Sequence, residues 1–204
     1  MVSRTVRTVA LLLGALVVAG SRTVMAQNPP PPIPPGDHIR YYDVSGKTLE
    51  DLESSLAENA PTGSHGLPFF GLTDWYVSWN FQVWKRNEGC KLAHISTSVR
   101  TRVTLPRWVE SEESPSDLKR WWTVFIETLR EHEFTHVDNA RAAEQAVAVA
   151  LAVLEPTATC GAARRAGDRI ATQIVYEYRS RDLKFDRDTR HGRDQFEAAL
   201  VKVE

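Results

Sequence analysis

His132-Glu133-Phe134-Thr135-His136 spells H-E-x-x-H, and that spacing has chemical consequences. Residues four apart on an α-helix share one face, with Cβ atoms about 5–6 Å apart. Two imidazoles placed this way converge on a single Zn²⁺ at roughly 2.0–2.1 Å each. The glutamate beside the first histidine projects next to the ion, where it can take a proton from metal-bound water. Five letters arise by chance in about one chain in a hundred of this length, so the flanking residues decide what the pattern means.

The flanks predict a helix. Ser114-Pro115-Ser116-Asp117 reads as a helix start, with Ser114 as N-cap, Pro115 at the first helical position and an acid in the first turn. Apolar residues then recur at Leu118, Trp122, Phe125 and Leu129, and the stripe resumes at Ala140, Ala143, Val147, Leu151 and Leu154. Steps of three and four give the helical period. His132 and His136 fall on this stripe and are expected to face inward. Buried neutral imidazoles need partners, and one metal ion satisfies both. The alternative is two core histidines, each held by its own hydrogen bond.

A catalytic zinc takes three protein ligands and keeps a position open. The helix supplies two. The metzincin spacing fails, because Asn139 and Ala142 stand where a Gly and a His would follow. Glu144 lies on the same helix and is too close to act as the glutamate ligand of a gluzincin. Glu177, on the next predicted helix, is a candidate. The other histidines are His38, His65, His94 and His191.

The elements that must position these groups follow from pattern. Ile39 to Val44 reads as a short strand. Thr48 to Asp51 resembles a capping box opening a helix with Leu49, Leu52 and Leu56 inward. Glu58 to Gly66 is turn-rich. Trp75, Val77, Trp79, Phe81 and Val83 alternate with mostly polar residues, as do Ala93 to Leu105. They form an expected antiparallel pair around Asn87-Glu88-Gly89, with Pro106 ending the second strand. Trp75 and Trp79 read as core. Beyond Pro156 to Gly161 a helix is predicted from Ala162 to Arg181, with Ile170, Ile174 and Tyr178 inward. A loop and a short helix near Gln195 to Val201 follow. Strands first and helices after predict an α+β fold: a small antiparallel sheet packed against a long metal-bearing helix, in a zincin-like arrangement.

Residues 1–26 read as a cleaved signal peptide. Arg4 and Arg7 precede an apolar run from Val9 to Gly20, too short to span a bilayer, and Val24-Met25-Ala26 suits cleavage after Ala26. Residues 27–36 form a spacer with six prolines in the seven positions from Pro29 to Pro35. Residues 37–204 have the size of one domain. Losing Arg4, Arg7 and Arg22 with the leader takes the formal charge from −1 to −4, which argues against nucleic-acid or anionic-membrane partners. No membrane span is expected in the mature chain. The two cysteines, Cys90 and Cys160, are expected to pair in an exported chain. Localisation is therefore expected to be secreted or periplasmic.

Several segments together resemble a family of exported bacterial proteins described as predicted secreted zinc-dependent proteases with a domain of unknown function. The segments are Tyr41-Tyr42-Asp43-Val44-Ser45-Gly46, then Cys90, Leu105-Pro106-Arg107-Trp108, the H-E-x-x-H helix and Cys160. Last comes Phe185-Asp186-Arg187-Asp188-Thr189-Arg190-His191-Gly192, matching aromatic-Asp-x-x-Thr-x-His-Gly. Phe185 stands where the family tends to have Tyr. The resemblance spans essentially the whole mature domain and implies a zinc hydrolase. His191, within its last motif, is the expected third ligand, followed by Asp186 of the same motif and then by Glu177 on the preceding predicted helix. Asp186, Asp188 or Asp138 could instead hold a ligand imidazole by its other N–H.

The expected activity is that of a metallopeptidase-type hydrolase acting on a peptide or protein substrate. Its cofactor would be Zn²⁺ on His132, His136 and His191, with Glu133 as general base. Tyr176, Tyr178 and Arg190 are candidate oxyanion donors. The competing expectation is a secreted binding or structural domain whose zinc is not catalytic.

Overall fold

A computed structural model describes residues 36–62, 68–109 and 114–201. The expected signal peptide, almost all of the spacer and part of the loop before Pro68 lie outside them. Among the described residues the order is β1 (Gly36–Val44), α1 (Leu49–Asn59), β2 (Leu72–Arg86), β3 (Gly89–Trp108), α2 (Ser116–Ala152), α3 (Cys160–Thr189) and α4 (Arg193–Val201). The class is α+β. No helix among the described residues is long and apolar enough to cross a membrane.

The sheet has three strands in the order β1-β3-β2. β2 and β3 form the expected antiparallel hairpin, but β1 runs parallel to β3, pairing Ile39 with Val103 and Val44 with Trp108. The sheet is therefore mixed rather than antiparallel. Helix α1 explains this: it carries the chain from one outer strand to the other, and β3 then returns between them. Pro106 does not end β3. It pairs with Tyr42, beyond the Leu72–Thr104 pair where β2 stops. There β3 has one unpaired side, on which a missing N–H removes no ladder bond.

α1 opens on Thr48 with the expected capping box, Thr48 and Asp51 each satisfying the other's backbone N–H. Leu52 and Leu56 are buried, whereas Leu49 is exposed. α2 begins at Ser116, with Pro115 as the cap, so Ser114 is not the N-cap. Its 37 residues make a rod about 55 Å long. One rod of that length serves two hydrophobic clusters. Leu118, Phe125, Leu129 and Val137 pack with Val44, Leu52, Leu56, Val103, Leu105 and Trp108. Ala140, Ala143, Val147 and Leu151 pack with Trp75, Val77, Phe81 and Leu92 of the hairpin and with α3. His132 and His136 lie where the two clusters meet along α2, between Leu129 and Ala140.

The second cluster brings α3 close because its contact residues are small: Ala163 and Ala171 on α3 share it with Ala140 and Ala143 on α2, and Gly167 lies against Phe81 and Leu92 of the hairpin. A Cβ on Gly167 would sit 2.9 Å from the Phe81 ring. Ile170, Ile174 and Tyr178 pack inward as expected. α3 runs eight residues past the expected end at Arg181, to Thr189, so Asp186 and Asp188 are helical rather than in a loop. Nothing from 179 to 189 breaks a helix, and the inward stripe continues through Asp182, Phe185 and Asp186. A stripe made partly of carboxylates is invisible to a search for apolar period.

Cys90 and Cys160 are disulfide-bonded at a separation of 70 residues, tying the hairpin to the start of α3. Cys90 and Thr157 also exchange backbone hydrogen bonds at 2.8 and 3.0 Å. Replacing both cysteines by alanine is expected to cost about 4 kcal/mol, the loop-closure entropy of a cross-link this long. Urea unfolding of the double variant against the wild type measures it, and coincident transitions would contradict it.

Candidate metal centre

His132 and His136 project from the middle of α2 and are 2% and 6% exposed. His132 donates from Nδ1 to Gln195 Oε1 at 2.8 Å, and His136 donates from Nδ1 to Asp182 Oδ1 at 3.0 Å. These acceptors fix the tautomer. With hydrogen on each Nδ1, both Nε2 lone pairs point the other way. Both point at one atom, Asp186 Oδ1, which is 3.2 Å from Nε2 of His132 and 2.9 Å from Nε2 of His136. Three lone-pair carriers facing one another repel unless something positive sits among them. That can be a proton on each Nε2 or a cation bound by all three.

The ligand atoms of His132, His136 and Asp186 lie within 4.8 Å of one another, and no further His, Cys, Asp or Glu joins the group among the described residues. Two imidazole nitrogens and one carboxylate oxygen are a donor set suited to a catalytic zinc. In a tetrahedral site such atoms stand roughly 3.3 Å apart, close to the 3.2 and 2.9 Å between Asp186 Oδ1 and the two Nε2 atoms.

The electrostatics agree with a focus for positive charge. Burial disfavours a charged His136, but Asp182 and Asp186 outweigh it and push its pKa up to about 10. Burial likewise opposes charge on Asp186; with a proton on each Nε2, the hydrogen bonds from His132 and His136 and the charges of His136 and His191 outweigh it and hold the carboxyl well below the usual range. Glu133, 4% exposed, moves the other way. Desolvation raises its pKa, only partly countered by the Thr73 hydrogen bond and the two histidines. A buried carboxylate beside the two imidazoles, its pKa raised rather than lowered, is the more basic for it.

Glu133 is held from β2. Thr73 Oγ1 donates to Glu133 Oε2 at 2.7 Å. On the other side the backbone of Gly71 is so close that a Cβ there would stand 2.4 Å from Glu133 Oε1. Phe185 fixes the imidazole planes, stacking on His132 at 4.7 Å and meeting His136 edge-on at 5.4 Å.

The residues after α3 close over His132. Arg190, His191 and Gly192 all have left-handed backbones, with φ of 50°, 55° and 81°. Non-glycine residues rarely adopt this conformation unless something holds them. Here His191 N donates to Asp186 O at 2.7 Å, and Gly192 N donates to Thr189 Oγ1 at 3.2 Å. Gly192 lies against His132, where a Cβ would be 3.2 Å from Cγ of the ring. The Thr-x-His-Gly part of the motif is thus a helix stop that sets its last glycine against the His132 imidazole.

The structure therefore brings together His132, Glu133, His136 and Asp186. His191, the expected third ligand, stands outside the group of three. Its side chain is half exposed, its Nδ1 is 3.8 Å from Asp186 Oδ2, and its ring packs on Phe69 at 4.8 Å. Glu177 is exposed and accepts from Gln173. Asp188 pairs with Lys184, and Asp138 with Arg141, both at the surface. Arg190 is engaged by Asp194 and Glu197, and Tyr176 is exposed. Tyr178 lies under the Arg181 guanidinium, 4.1 Å from its ring centre. Sequence reasoning missed Asp182, Gln195 and Thr73. Only Asp182 left a signal, one helical turn before Asp186.

The fold and site define an α+β domain in which an H-E-x-x-H helix meets a carboxylate from a second helix. The chain belongs to the family described as "Bacterial protein of unknown function (DUF922)", whose profile matches residues 39–192. The match takes in every residue of the His132, His136 and Asp186 group and stops three residues before Gln195. No curated protein and no solved structure matches the chain.

Proposed function

We propose that this chain is an exported metal-dependent hydrolase of the metallopeptidase type, taking a peptide or protein substrate and holding zinc on His132, His136 and Asp186. One observation carries the reading: two imidazoles whose Nδ1 hydrogens are already used turn both Nε2 atoms onto a single carboxylate oxygen. A bound zinc would supply Lewis acidity toward a carbonyl and a lowered pKa for water in its open position.

The chain's own residues do the rest. Glu133, desolvated and aimed by Thr73, would be the group placed to take up a proton at its carboxylate and to return it to a leaving amine. Asp186 would balance part of a bound cation's charge. Phe185 covers the imidazoles and excludes water from their faces.

A non-catalytic zinc in a binding domain is the rival. Structural sites close with four protein ligands, whereas the group here has three among the described residues. The test is metal content by elemental analysis, then cleavage of denatured casein with and without a chelator. About one zinc per chain with chelator-sensitive cleavage is the expected result. One zinc per chain with no cleavage of casein or of peptidoglycan would favour the rival. No metal at all would mean that protons occupy the focus.

A further inference from the structure

We propose that Asp182 is the positioning residue of this centre, acting through His136 rather than on the ion or the substrate; the inference rests on the metal reading above. Its carboxylate receives three donors. Oδ1 accepts from His136 Nδ1 at 3.0 Å and from Asn139 Nδ2 at 2.7 Å, and Oδ2 accepts from Trp75 Nε1 at 2.6 Å. The donors come from α2 and β2, and Asp182 itself lies on α3. One side chain therefore links three of the elements around the site.

The partners are fixed in turn. Asn139 gives its other amide hydrogen to Tyr178 O at 2.9 Å. Arg179, nearly a turn before Asp182, donates to Trp75 O at 3.2 Å and lays its guanidinium 4.6 Å from the Trp75 ring centre. Accepting on both oxygens requires a carboxylate. An asparagine would keep one acceptor and turn an NH₂ toward either Trp75 Nε1–H or the His136 and Asn139 donors.

The consequence falls on His136. Its two ring nitrogens face two different carboxylates, Asp182 at Nδ1 and Asp186 at Nε2. Asp182 holds the hydrogen on Nδ1, leaving Nε2 as the lone-pair nitrogen and making it more basic toward a cation. His132 has a neutral counterpart, Gln195 Oε1, which lies on α4 outside the family match. The two imidazoles are thus oriented by unlike groups, and the anionic one acts on His136.

The experiment compares zinc affinity, by competition with a chromophoric chelator, in wild type, Asp182→Asn and Trp75→Phe. Asp182→Asn is expected to weaken zinc binding by about 10–100-fold. Trp75→Phe removes a donor from the same carboxylate without touching His136, so its affinity is expected within about twofold of wild type. Equal losses in both variants would make Asp182 a structural link only and overturn the proposal. So would wild-type affinity in a folded Asp182→Asn. A wild type that binds no zinc would overturn the metal reading, and this inference with it. Imidazole ¹⁵N shifts of the zinc-loaded wild type give a second readout that needs no variant. Hydrogen on Nδ1 of His136 is expected, and hydrogen on Nε2 would overturn the proposal.

Discussion

Glu133→Gln is expected to keep the fold and the bound zinc and to lower turnover by about 10²–10⁴-fold, the usual contribution of a positioned acid–base group. The substitution is nearly isosteric, which matters because Gly71 leaves no slack beside the carboxylate. Thr73 Oγ1 can still donate to the amide oxygen at the position it now serves. Replacing a carboxylate that burial already pushes toward its neutral form removes a desolvation cost, so stability should be unchanged or higher. Metal content, thermal unfolding and peptide cleavage on one preparation separate these effects. Unchanged cleavage at unchanged metal content would remove Glu133 from the mechanism and leave the metal site standing. Loss of metal together with activity would mean that Glu133 acts on the cation itself.

The reasons some of this site could be read in advance, and some could not, are physical. His132 and His136 were legible because α2 is an amphipathic rod whose buried positions recur every three or four residues, and the two histidines sit in phase with Leu129 and Ala140. The hairpin was legible because its inward residues alternate. The Cys90–Cys160 pair was legible because only two cysteines exist. The parallel pairing of β1 was not, since six residues of alternation do not say which neighbour a strand chooses. The inward face of α3 near its end was hidden because polar residues occupy it. Asp182 lies just past the expected helix end and carries no apolar signal, Asp186 enters only as a residue of the last motif, and only the approach of α2 turns both into partners of imidazoles. Gln195 and Thr73 carry no pattern at all. They matter through distances of 2.8 and 2.7 Å to residues some sixty positions away, a relation that exists only once the chain has folded.

The third ligand is where geometry and motif lead to different residues, and a paired substitution decides between them. Asp186→Ala is expected to lower zinc affinity by more than the 10–100-fold that loss of an orienting neighbour costs, because it removes a donor atom. His191→Ala is expected to retain zinc at full stoichiometry. The argument is one of position. Asp186 Oδ1 lies 2.9 and 3.2 Å from the two Nε2 atoms, whereas His191 meets the other oxygen, Oδ2, at 3.8 Å. At that separation it can bias the orientation and charge of Asp186, yet it is too far for a direct hydrogen bond. His191 therefore stands behind Asp186 rather than beside the two Nε2 atoms, and its loss should weaken binding only modestly. The left-handed stop at Arg190 to Gly192 would persist in His191→Ala, because His191 N to Asp186 O and Gly192 N to Thr189 Oγ1 are backbone-donated bonds. Any change in that variant thus reports the imidazole and not a collapsed loop. The reverse outcome, zinc lost in His191→Ala and kept in Asp186→Ala, would require Asp186 to withdraw and the histidine to swing inward when metal binds. That would restore His191 to the ligand set.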